Sequence, residues 1–102
     1  MKSRVDMLLD SIELSKLPTS AVIARTLHIS ESQLRRVLAR EGSSIRKILD
    51  ERREKFAVAE LRRGGSVSSV TLQLGYAETR SFRRAFKRWT GHPPARYRGL
   101  SL

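Results

Sequence analysis

Two arginine pairs, each flanked by apolar residues, are the side chains in this sequence whose type and spacing suggest chemistry. They occur in Leu34-Arg35-Arg36-Val37-Leu38 and in Phe82-Arg83-Arg84-Ala85-Phe86, which match at an offset of 48 residues. A guanidinium group is always charged, and its planar set of donors fits a phosphate or the O6 and N7 edge of guanine. The repeated pairs therefore indicate a polyanionic partner, with nucleic acid as the leading candidate.

The overall composition agrees with this interpretation. The 102 residues include 21 Lys+Arg against 10 Asp+Glu, for a net charge of +11, and 16 of the basic residues are arginine. The excess is uneven, since residues 1–18 are neutral and residues 66–102 carry +6. A hydrophobic fraction of 39% is too high for a disordered basic tail. The length and composition predict one compact folded domain, or two very small ones that share a core.

Several classes of function are excluded by residue types. The chain has no cysteine, His28 and His92 are its only histidines, and its carboxylates are scattered along the helices, where we expect them to pair with basic residues. We therefore expect no enzyme, no metal site and no cofactor. No apolar run approaches the ~20 residues of a membrane span, and the N-terminus lacks the apolar segment of a signal peptide. We expect a cytoplasmic, nucleoid-associated protein that does not contact a membrane.

The pattern of apolar residues predicts an all-α fold with about seven helices. Only three prolines occur, and no segment alternates apolar and polar residues for long enough to form a half-buried strand. In the first segment, Met7, Leu8, Ser11, Ile12 and Leu14 predict an amphipathic helix that ends before Leu17-Pro18. Pro93-Pro94 begins a last short turn that continues to Tyr97.

Hydroxyl residues ahead of apolar stripes predict where the other helices begin. Such residues favour the N-cap position, because their oxygen accepts a backbone N–H of the first turn. They are Thr19 or Ser20, Ser30, the pair Ser43-Ser44, and Ser66, with the helix starts placed near Thr19, Ser30, Ser44 and Ser66. The longest helix runs from Ser44 to Arg63 and ends at Gly64-Gly65. The chain therefore divides into a first subdomain (1–43), a central linking helix (44–65) and a second subdomain (66–102).

The repeat extends to the helix that precedes each arginine pair. The segment Ile23–Ile29 matches Val70–Tyr76 at an offset of 47 residues, with apolar residues at the same positions. Each copy thus consists of a short helix, a tight turn and a second helix, which is the helix-turn-helix pattern. Gly75 fits the left-handed position of the second turn. His28 stands at the corresponding place in the first, where we expect a turn residue with positive φ.

Rotation by 100° per residue identifies the outer face of each second helix. With Leu34, Val37 and Leu38 inward, the outward residues are Ser32, Arg36 and Ala39, flanked by Arg35 and Arg40. With Phe82, Ala85, Phe86 and Trp89 inward, they are Arg80, Arg84 and Lys87, flanked by Arg83 and Arg88. Both second helices therefore present arginines on the side opposite their apolar face, as a helix that enters a DNA groove would.

The sequence resembles a known family in its C-terminal third. Leu74-Gly75-Tyr76, the run from Ser81 to Gly91, and Pro93-Pro94-Ala95-Arg96-Tyr97-Arg98 closely resemble the signature of AraC/XylS-family transcription regulators. The order of the remaining segments extends the resemblance over nearly the whole chain. It implies a seven-helix DNA-binding domain in which two helix-turn-helix subdomains, joined by a rigid central helix, place recognition helices in successive major-groove segments.

The resemblance assigns roles to individual residues. Its base-reading positions fall on Ser32, Arg35 and Arg36 in the first recognition helix and on Thr79, Arg80, Arg83 and Arg84 in the second. We add Arg40 and Lys87 from the rotation as base or phosphate contacts, and Thr19, Ser30, Ser44 and Ser66 as helix starts that could donate N–H groups to phosphates. We expect structural roles for Leu27, Leu34, Leu38, Gly75, Phe82, Phe86, Trp89 and Pro93.

A central helix of about 20 residues would be roughly 30 Å long, close to the ~34 Å between successive major grooves on one face of DNA. The tandem order of the two units therefore predicts an asymmetric site with two blocks about 10 base pairs apart. Whether the DNA bends is left open. The resemblance further implies transcription activation, contact with RNA polymerase and an N-terminal sensor or dimerisation domain outside this chain. Without that region we expect a monomer.

A non-specific, basic RNA- or DNA-binding helical protein is the alternative function. Such a protein would favour exposed aromatic rings on which unpaired bases stack. The aromatic residues Phe82, Phe86 and Trp89 are instead predicted to face inward, which disfavours single-stranded RNA as the partner.

Overall fold

The computed structural model describes residues 1–98 of the chain, and every regular element in that range is helical. The six α-helices are α1 (Lys2–Leu9), α2 (Ser20–Thr26), α3 (Glu31–Arg40), α4 (Ile45–Arg62), α5 (Val67–Gln73) and α6 (Thr79–Thr90). Two short 3-10 helices cover Leu14–Lys16 and Pro94–Arg96. The predicted all-α class is confirmed, with six α-helices against an expected seven. None of the helices within the described range is long and apolar enough to span a membrane.

The first helix lies earlier in the chain than the sequence pattern predicted. Helix α1 ends at Leu9, so that Ser11, Ile12 and Leu14 fall outside it, and Met7 is 73% exposed. The buried residues are Val5 and Leu9, one helical turn apart. After Leu9 the chain forms a turn, in which the Ile12 N–H donates to the Leu9 carbonyl at 3.0 Å. The prediction of a helix from Met7 to Leu14 was therefore wrong.

The chain divides into two compact units, of which the first comprises Met1–Leu49. Helices α1, α2 and α3 and the start of α4 supply its core. The buried side chains of this core are Val5, Leu9, Ile23, Ala24, Leu34, Leu38 and Ile48. Partly buried residues, including Leu27 and Ile29 from the turn after α2, pack against them. The inner face of α3 is thereby fixed against α2.

The second unit begins at Asp50 and has an aromatic core. Phe82 and Phe86, both on α6, are fully buried, and their ring centroids are 5.6 Å apart. The ring of Trp89 meets Phe86 edge-on at 6.4 Å, and that of Tyr97 does so at 5.3 Å. The Arg62 guanidinium of α4 lies 5.6 Å from the centre of the Tyr97 ring. Tilted and edge-on aromatic pairs stabilise a core beyond the area that they bury.

The two helix-turn-helix turns are closed by the same pair of hydrogen bonds. His28 N–H donates to the Arg25 carbonyl and Ile29 N–H to that of Ala24, both at 3.1 Å. In the second unit, Gly75 N–H donates to Leu72 at 3.0 Å and Tyr76 N–H to Thr71 at 3.1 Å. Both are helix-ending motifs that require a left-handed residue. His28 has φ 61° and Gly75 has φ 84°, which confirms the positive φ predicted for His28.

The four predicted hydroxyl caps stand at helix starts. The Thr19 side chain accepts the Val22 N–H at 3.3 Å, and that of Ser30 accepts the Gln33 N–H at 3.0 Å. At the starts of α4 and α5, the same bonds join Ser44 to Lys47 at 3.1 Å and Ser66 to Ser69 at 3.0 Å. Each bond satisfies a backbone donor that has no partner within its helix, so that these residues set where the helices begin.

Removal of the Phe86 ring is expected to unfold the second unit rather than to alter a surface. Because the ring is fully buried, Phe86→Ala should lower the free energy of unfolding by about 3–5 kcal/mol. Urea denaturation followed by circular dichroism measures the change. Arg84→Ala, on the exposed side of the same helix, is the control and should change stability by less than about 0.5 kcal/mol. Equal effects of the two variants would contradict this description of α6.

The left-handed turns predict opposite effects of two substitutions. A side chain at positive φ costs roughly 1–2 kcal/mol, whereas glycine lowers stability by about 0.5–1 kcal/mol through the entropy of the unfolded chain. Gly75→Ala should therefore destabilise the domain by about 1–2 kcal/mol. His28→Gly should leave stability unchanged or raise it by up to about 1 kcal/mol. Thermal unfolding of both variants tests this, and a destabilising His28→Gly would show that the imidazole itself supports the turn.

Candidate nucleic-acid interface

Helix α3 presents a polar face on the side opposite its buried residues. Leu34 and Leu38 are 1% and 0% exposed. The predicted contact residues Ser32, Arg35, Arg36 and Arg40 are all exposed, and they lie on one helix. Since burial of two side chains one turn apart fixes the rotation of a helix about its axis, the packing of α3 determines which residues face the solvent.

Helix α6 has the same construction with more charge. Phe82, Ala85 and Phe86 are buried. The exposed residues include all five predicted contacts, which are Thr79, Arg80, Arg83, Arg84 and Lys87, together with Arg88. The helix carries five basic residues and no acidic one. Its outer face is therefore a continuous cationic surface, although like charges at this spacing destabilise a helix.

The cations of α3 and α6 are not neutralised within the protein. Among residues 1–98, the structure gives no hydrogen bond or ion pair to the side chains of Arg35, Arg36, Arg40, Arg80, Arg83, Arg84, Lys87 or Arg88. Several basic residues of α4, and Arg63 directly after it, do have partners. Arg53 pairs with Asp50 at 3.3 Å, Arg63 pairs with Glu60, and Lys47 donates to the Gly42 carbonyl at 3.3 Å. The basic side chains of α3 and α6 are thus exposed and unpaired on faces that an external anion can approach.

One carboxyl group on α4, that of Glu54, has a shifted pKa. Burial raises the pKa of Glu54 above its ordinary value, and the neighbouring carboxylates of Glu51 and Asp50 raise it further. Acidic groups on α4 therefore lie close enough to repel one another. Helix α6, by contrast, contains no acidic residue.

The two recognition helices begin differently. Helix α3 follows the Ser30 cap and has one acidic residue, Glu31, in its first turn. Helix α6 follows Glu78, whose side chain makes no capping hydrogen bond, and its first turn contains no acidic residue. Thr79, the first residue of α6, is exposed. The sequence repeat did not predict this difference, because it aligned the apolar and arginine positions only.

The residues with expected structural roles occupy three kinds of position. Leu34, Leu38, Phe82 and Phe86 are buried, Leu27 and Trp89 are half-buried, and Gly75 forms the turn. Pro93 is exposed and caps the last 3-10 helix, whereas its neighbour Pro94 is buried in the core. Pro94 therefore occupies the buried position that was expected for Pro93. The two neighbours differ because successive residues of an extended backbone face opposite sides.

Tyr76 links the second turn to the aromatic core. Its ring centroid lies 6.1 Å from that of Phe82. Burial raises the pKa of the Tyr76 hydroxyl, partly opposed by the positive charge of Arg53. The hydroxyl therefore remains neutral at physiological pH, and the ring acts in packing rather than as a charged group. The sequence pattern predicted that Tyr76 lies in the turn but did not predict its packing against Phe82.

A small notch lies beside the start of α3 in the first unit. It has a volume of about 240 Å³ and is lined by Ser20, Glu31, Leu34, Arg35, Ser44, Ile45 and Arg46. Within it, the Ser20 hydroxyl donates to Glu31 Oε1 at 2.6 Å. The sequence analysis missed this pair, because Ser20 and Glu31 lie 11 positions apart and belong to different helices. No cluster of three potential metal ligands occurs in the part of the chain that the structure describes.

The chain is similar to known transcription regulators over nearly its whole length. A family model described as a helix-turn-helix domain matches residues 23–99. The HTH-type transcriptional regulator VqsM of Pseudomonas aeruginosa is 38% identical over 99 residues, which are 96% of this chain and 30% of VqsM. A second HTH-type transcriptional regulator, Mb1430 of Mycobacterium bovis, is 44% identical over 81 residues, or 78% of this chain and 24% of that protein.

Solved structures show the same fold. The transcriptional regulator CdpR of Pseudomonas aeruginosa superposes with a TM-score of 0.84 at 39% identity, over 94% of this chain and 30% of CdpR. The C-terminal domain of AraT, a response regulator of Geobacillus stearothermophilus, superposes with a TM-score of 0.84 at 25% identity, over 99% of this chain and 85% of that one. The chain thus spans less than a third of VqsM and Mb1430. It belongs to the AraC/XylS-type helix-turn-helix family, as a transcription-regulator DNA-binding domain and not an enzyme.

Proposed function

We propose that this domain recognises a specific, asymmetric double-stranded DNA site on behalf of a longer transcription regulator. The observation that carries the proposal is the pair of uncompensated basic faces on α3 and α6, each at the second helix of a helix-turn-helix unit. Arginines without acidic partners remain available for phosphates and guanine edges, and each phosphate that they neutralise releases condensed counterions.

The nine predicted residues are the proposed contacts of the two recognition helices. They are Ser32, Arg35, Arg36 and Arg40 on α3, and Thr79, Arg80, Arg83, Arg84 and Lys87 on α6. All are exposed. Ser32 and Thr79 are short and lie near the helix starts, where close approach of the backbone to a groove is easiest. The long basic residues around them supply base and phosphate contacts.

The starts of α3 and α4 are proposed as phosphate contacts. Ser30 and Ser44 cap helices of 10 and 18 residues, so that unpaired N–H groups and the helix dipole favour an anion there. Thr19 and Ser66 begin helices of only 7 residues each, where the same effect is weaker. Such contacts would fix the register of the protein on DNA without reading its sequence.

The order of the units along the chain supports an asymmetric site. The proposed modules, residues 1–43 and 66–102, follow one another in a single chain and are joined by residues 44–65. A single copy therefore has no two-fold axis, and its site need not be palindromic.

The remaining parts of the regulator are also proposed. Because the chain spans 30% of VqsM and 24% of Mb1430, a sensor or dimerisation domain on the N-terminal side and activation through RNA polymerase would belong to the longer protein. The alternative is a basic domain that binds nucleic acid without sequence preference, and the next experiment distinguishes it.

Selection from random duplexes of about 25 base pairs, at about 0.15 M salt, tests the proposed function directly, because non-specific phosphate binding is weak there. We expect an enriched asymmetric motif with two blocks about 10 base pairs apart. Tight, salt-sensitive binding without any enriched motif would overturn the proposal and leave a non-specific nucleic-acid binder.

Removal of one arginine from each recognition helix separates base from phosphate contacts. Arg36→Ala and Arg84→Ala should each weaken binding to the selected site by about 1–3 kcal/mol and relax the preference at one base pair if the residue reads a base. If the arginine contacts a phosphate instead, its removal should weaken binding to all sequences equally and reduce the slope of log K against log salt by about 1.

Arg4→Ala is the matched control for these variants. It removes the same charge from an exposed position on α1, outside both recognition helices. Fluorescence anisotropy over a range of salt concentrations measures all three variants. If Arg4→Ala costs as much affinity as Arg36→Ala and Arg84→Ala, the two faces have no special role.

A further inference from the structure

We infer that Arg35 and Arg46 hold one phosphate of the DNA backbone between them, in the notch beside the start of α3, and that Arg35 therefore does not read a base. The inference rests on the proposed function and goes beyond it, because it assigns Arg35 one kind of contact and adds Arg46 to the nine proposed contacts. Arg35 belongs to α3 and Arg46 to α4, yet both line this notch of the first unit.

Arg35 points to the side of α3 rather than along its outward direction. It lies about 100° from Arg36 around the helix axis, and about 80° from the direction midway between the buried Leu34 and Leu38. The major groove is about 12 Å wide, so that a helix of about 10–12 Å in diameter fills it between two walls of phosphates. An outward side chain meets base edges, whereas a sideways one meets a wall. Arg36 therefore faces bases, and Arg35 faces phosphates.

The notch has the size and the lining of a phosphate site. Its volume of about 240 Å³ is several times the ~30 Å³ that one water molecule occupies in the liquid, so that a phosphate group fits. Arg46 is the second residue of α4, and both it and Arg35 are exposed. The buried Leu34 and the half-buried Ile45 line the notch on the side of the core. An anion can thus enter from solvent and meet a guanidinium from each of two helices.

The charges in the notch favour an anion. Within residues 1–98, the structure gives no hydrogen bond or ion pair to the Arg35 side chain. Glu31 is the one acidic residue among the described residues of the lining, and its Oε1 accepts from the Ser20 hydroxyl at 2.6 Å. Two guanidinium groups against one carboxylate leave the lining with a net charge of +1. Because a guanidinium has several donors in one plane, two of them can bind different oxygens of the same phosphate.

Neutralising single phosphates of the selected site tests the inference. A methylphosphonate in place of one phosphate removes its negative charge and keeps the base sequence. At one position beside the first block, this replacement should weaken wild-type binding by about 10- to 150-fold, the range for hydrogen bonds to charged groups. The effect should be smaller in Arg35→Ala and in Arg46→Ala, and absent in the double variant, which has lost both sets of donors.

The salt dependence counts the phosphates and gives a second readout that needs no selected site. The slope of log K against log salt falls in magnitude by about 0.9 for each phosphate that is no longer neutralised. On random duplexes, the double variant should therefore reduce the slope by about 0.9 if one phosphate is shared, against about 1.8 for two separate phosphates. Arg46→Lys keeps the charge but loses the planar set of donors, so that it should keep the slope and lose part of the affinity.

Lys47→Ala is the matched control. Lys47 adjoins Arg46 on α4 and has the same charge, but its amino group donates to the Gly42 carbonyl at 3.3 Å and the residue is outside the lining of the notch. This variant should change neither the salt slope nor the response to the methylphosphonate. An equal loss of slope in Lys47→Ala would show that the notch has no special role. Circular dichroism verifies that each variant is folded.

Selection separates this inference from the proposed function. Arg35→Ala should enrich the same motif as wild type, with equal preference at each position. If it relaxes the preference at one base pair, Arg35 reads a base and the inference is wrong. The inference is likewise wrong if Arg35→Ala and Arg46→Ala respond to two different phosphates. A wild type that enriches no motif contradicts the proposed function alone, since the salt slopes on random duplexes still test the shared phosphate.

Discussion

Burial of two side chains one turn apart on each recognition helix is the constraint on which the proposed interface depends. Leu34 and Leu38 orient α3, and Phe82 and Phe86 orient α6. Each fully buried side chain contributes about 1.5–3 kcal/mol to folding. Because a rotation of either helix would expose both of its buried residues, the positions of the outward arginines are set by the core rather than by the arginines themselves.

This arrangement allows an accumulation of charge that would otherwise destabilise the fold. Pairs of like charges three or four residues apart cost about 0.2–0.5 kcal/mol each, and α6 has several such pairs among five basic residues. The aromatic cluster of the second unit offsets that cost, with the Phe86 and Tyr97 rings 5.3 Å apart and further rings beside them. The first unit carries fewer charges on α3, and its core is aliphatic. The more charged helix thus belongs to the unit with the aromatic core, and a bound polyanion would relieve its repulsion.

The sequence predicted those features that repeat or that depend on a single residue type. The caps at Thr19, Ser30, Ser44 and Ser66 and the left-handed turn at His28 follow from local backbone chemistry, and the structure contains them. Helix α1 was misplaced because Met7 is apolar yet 73% exposed, so that the apolar pattern selected the wrong face. Pro93 and Pro94 could not be told apart, because the buried member of a pair depends on tertiary packing. The contact of Ser20 with Glu31 depends on the approach of two helices, which no local pattern encodes.

The differences between the two copies of the repeat carry more functional information than their similarity. Matching apolar positions are required of any pair of helices that pack as α2 on α3 or α5 on α6. The start of α3 has a hydroxyl cap followed by a carboxylate that a second helix holds in place. The start of α6 has neither, and its first turn is exposed threonine and arginine. On the proposed reading of DNA, the five basic residues of α6, against three on α3, would neutralise more phosphates and give the second unit the steeper dependence on salt.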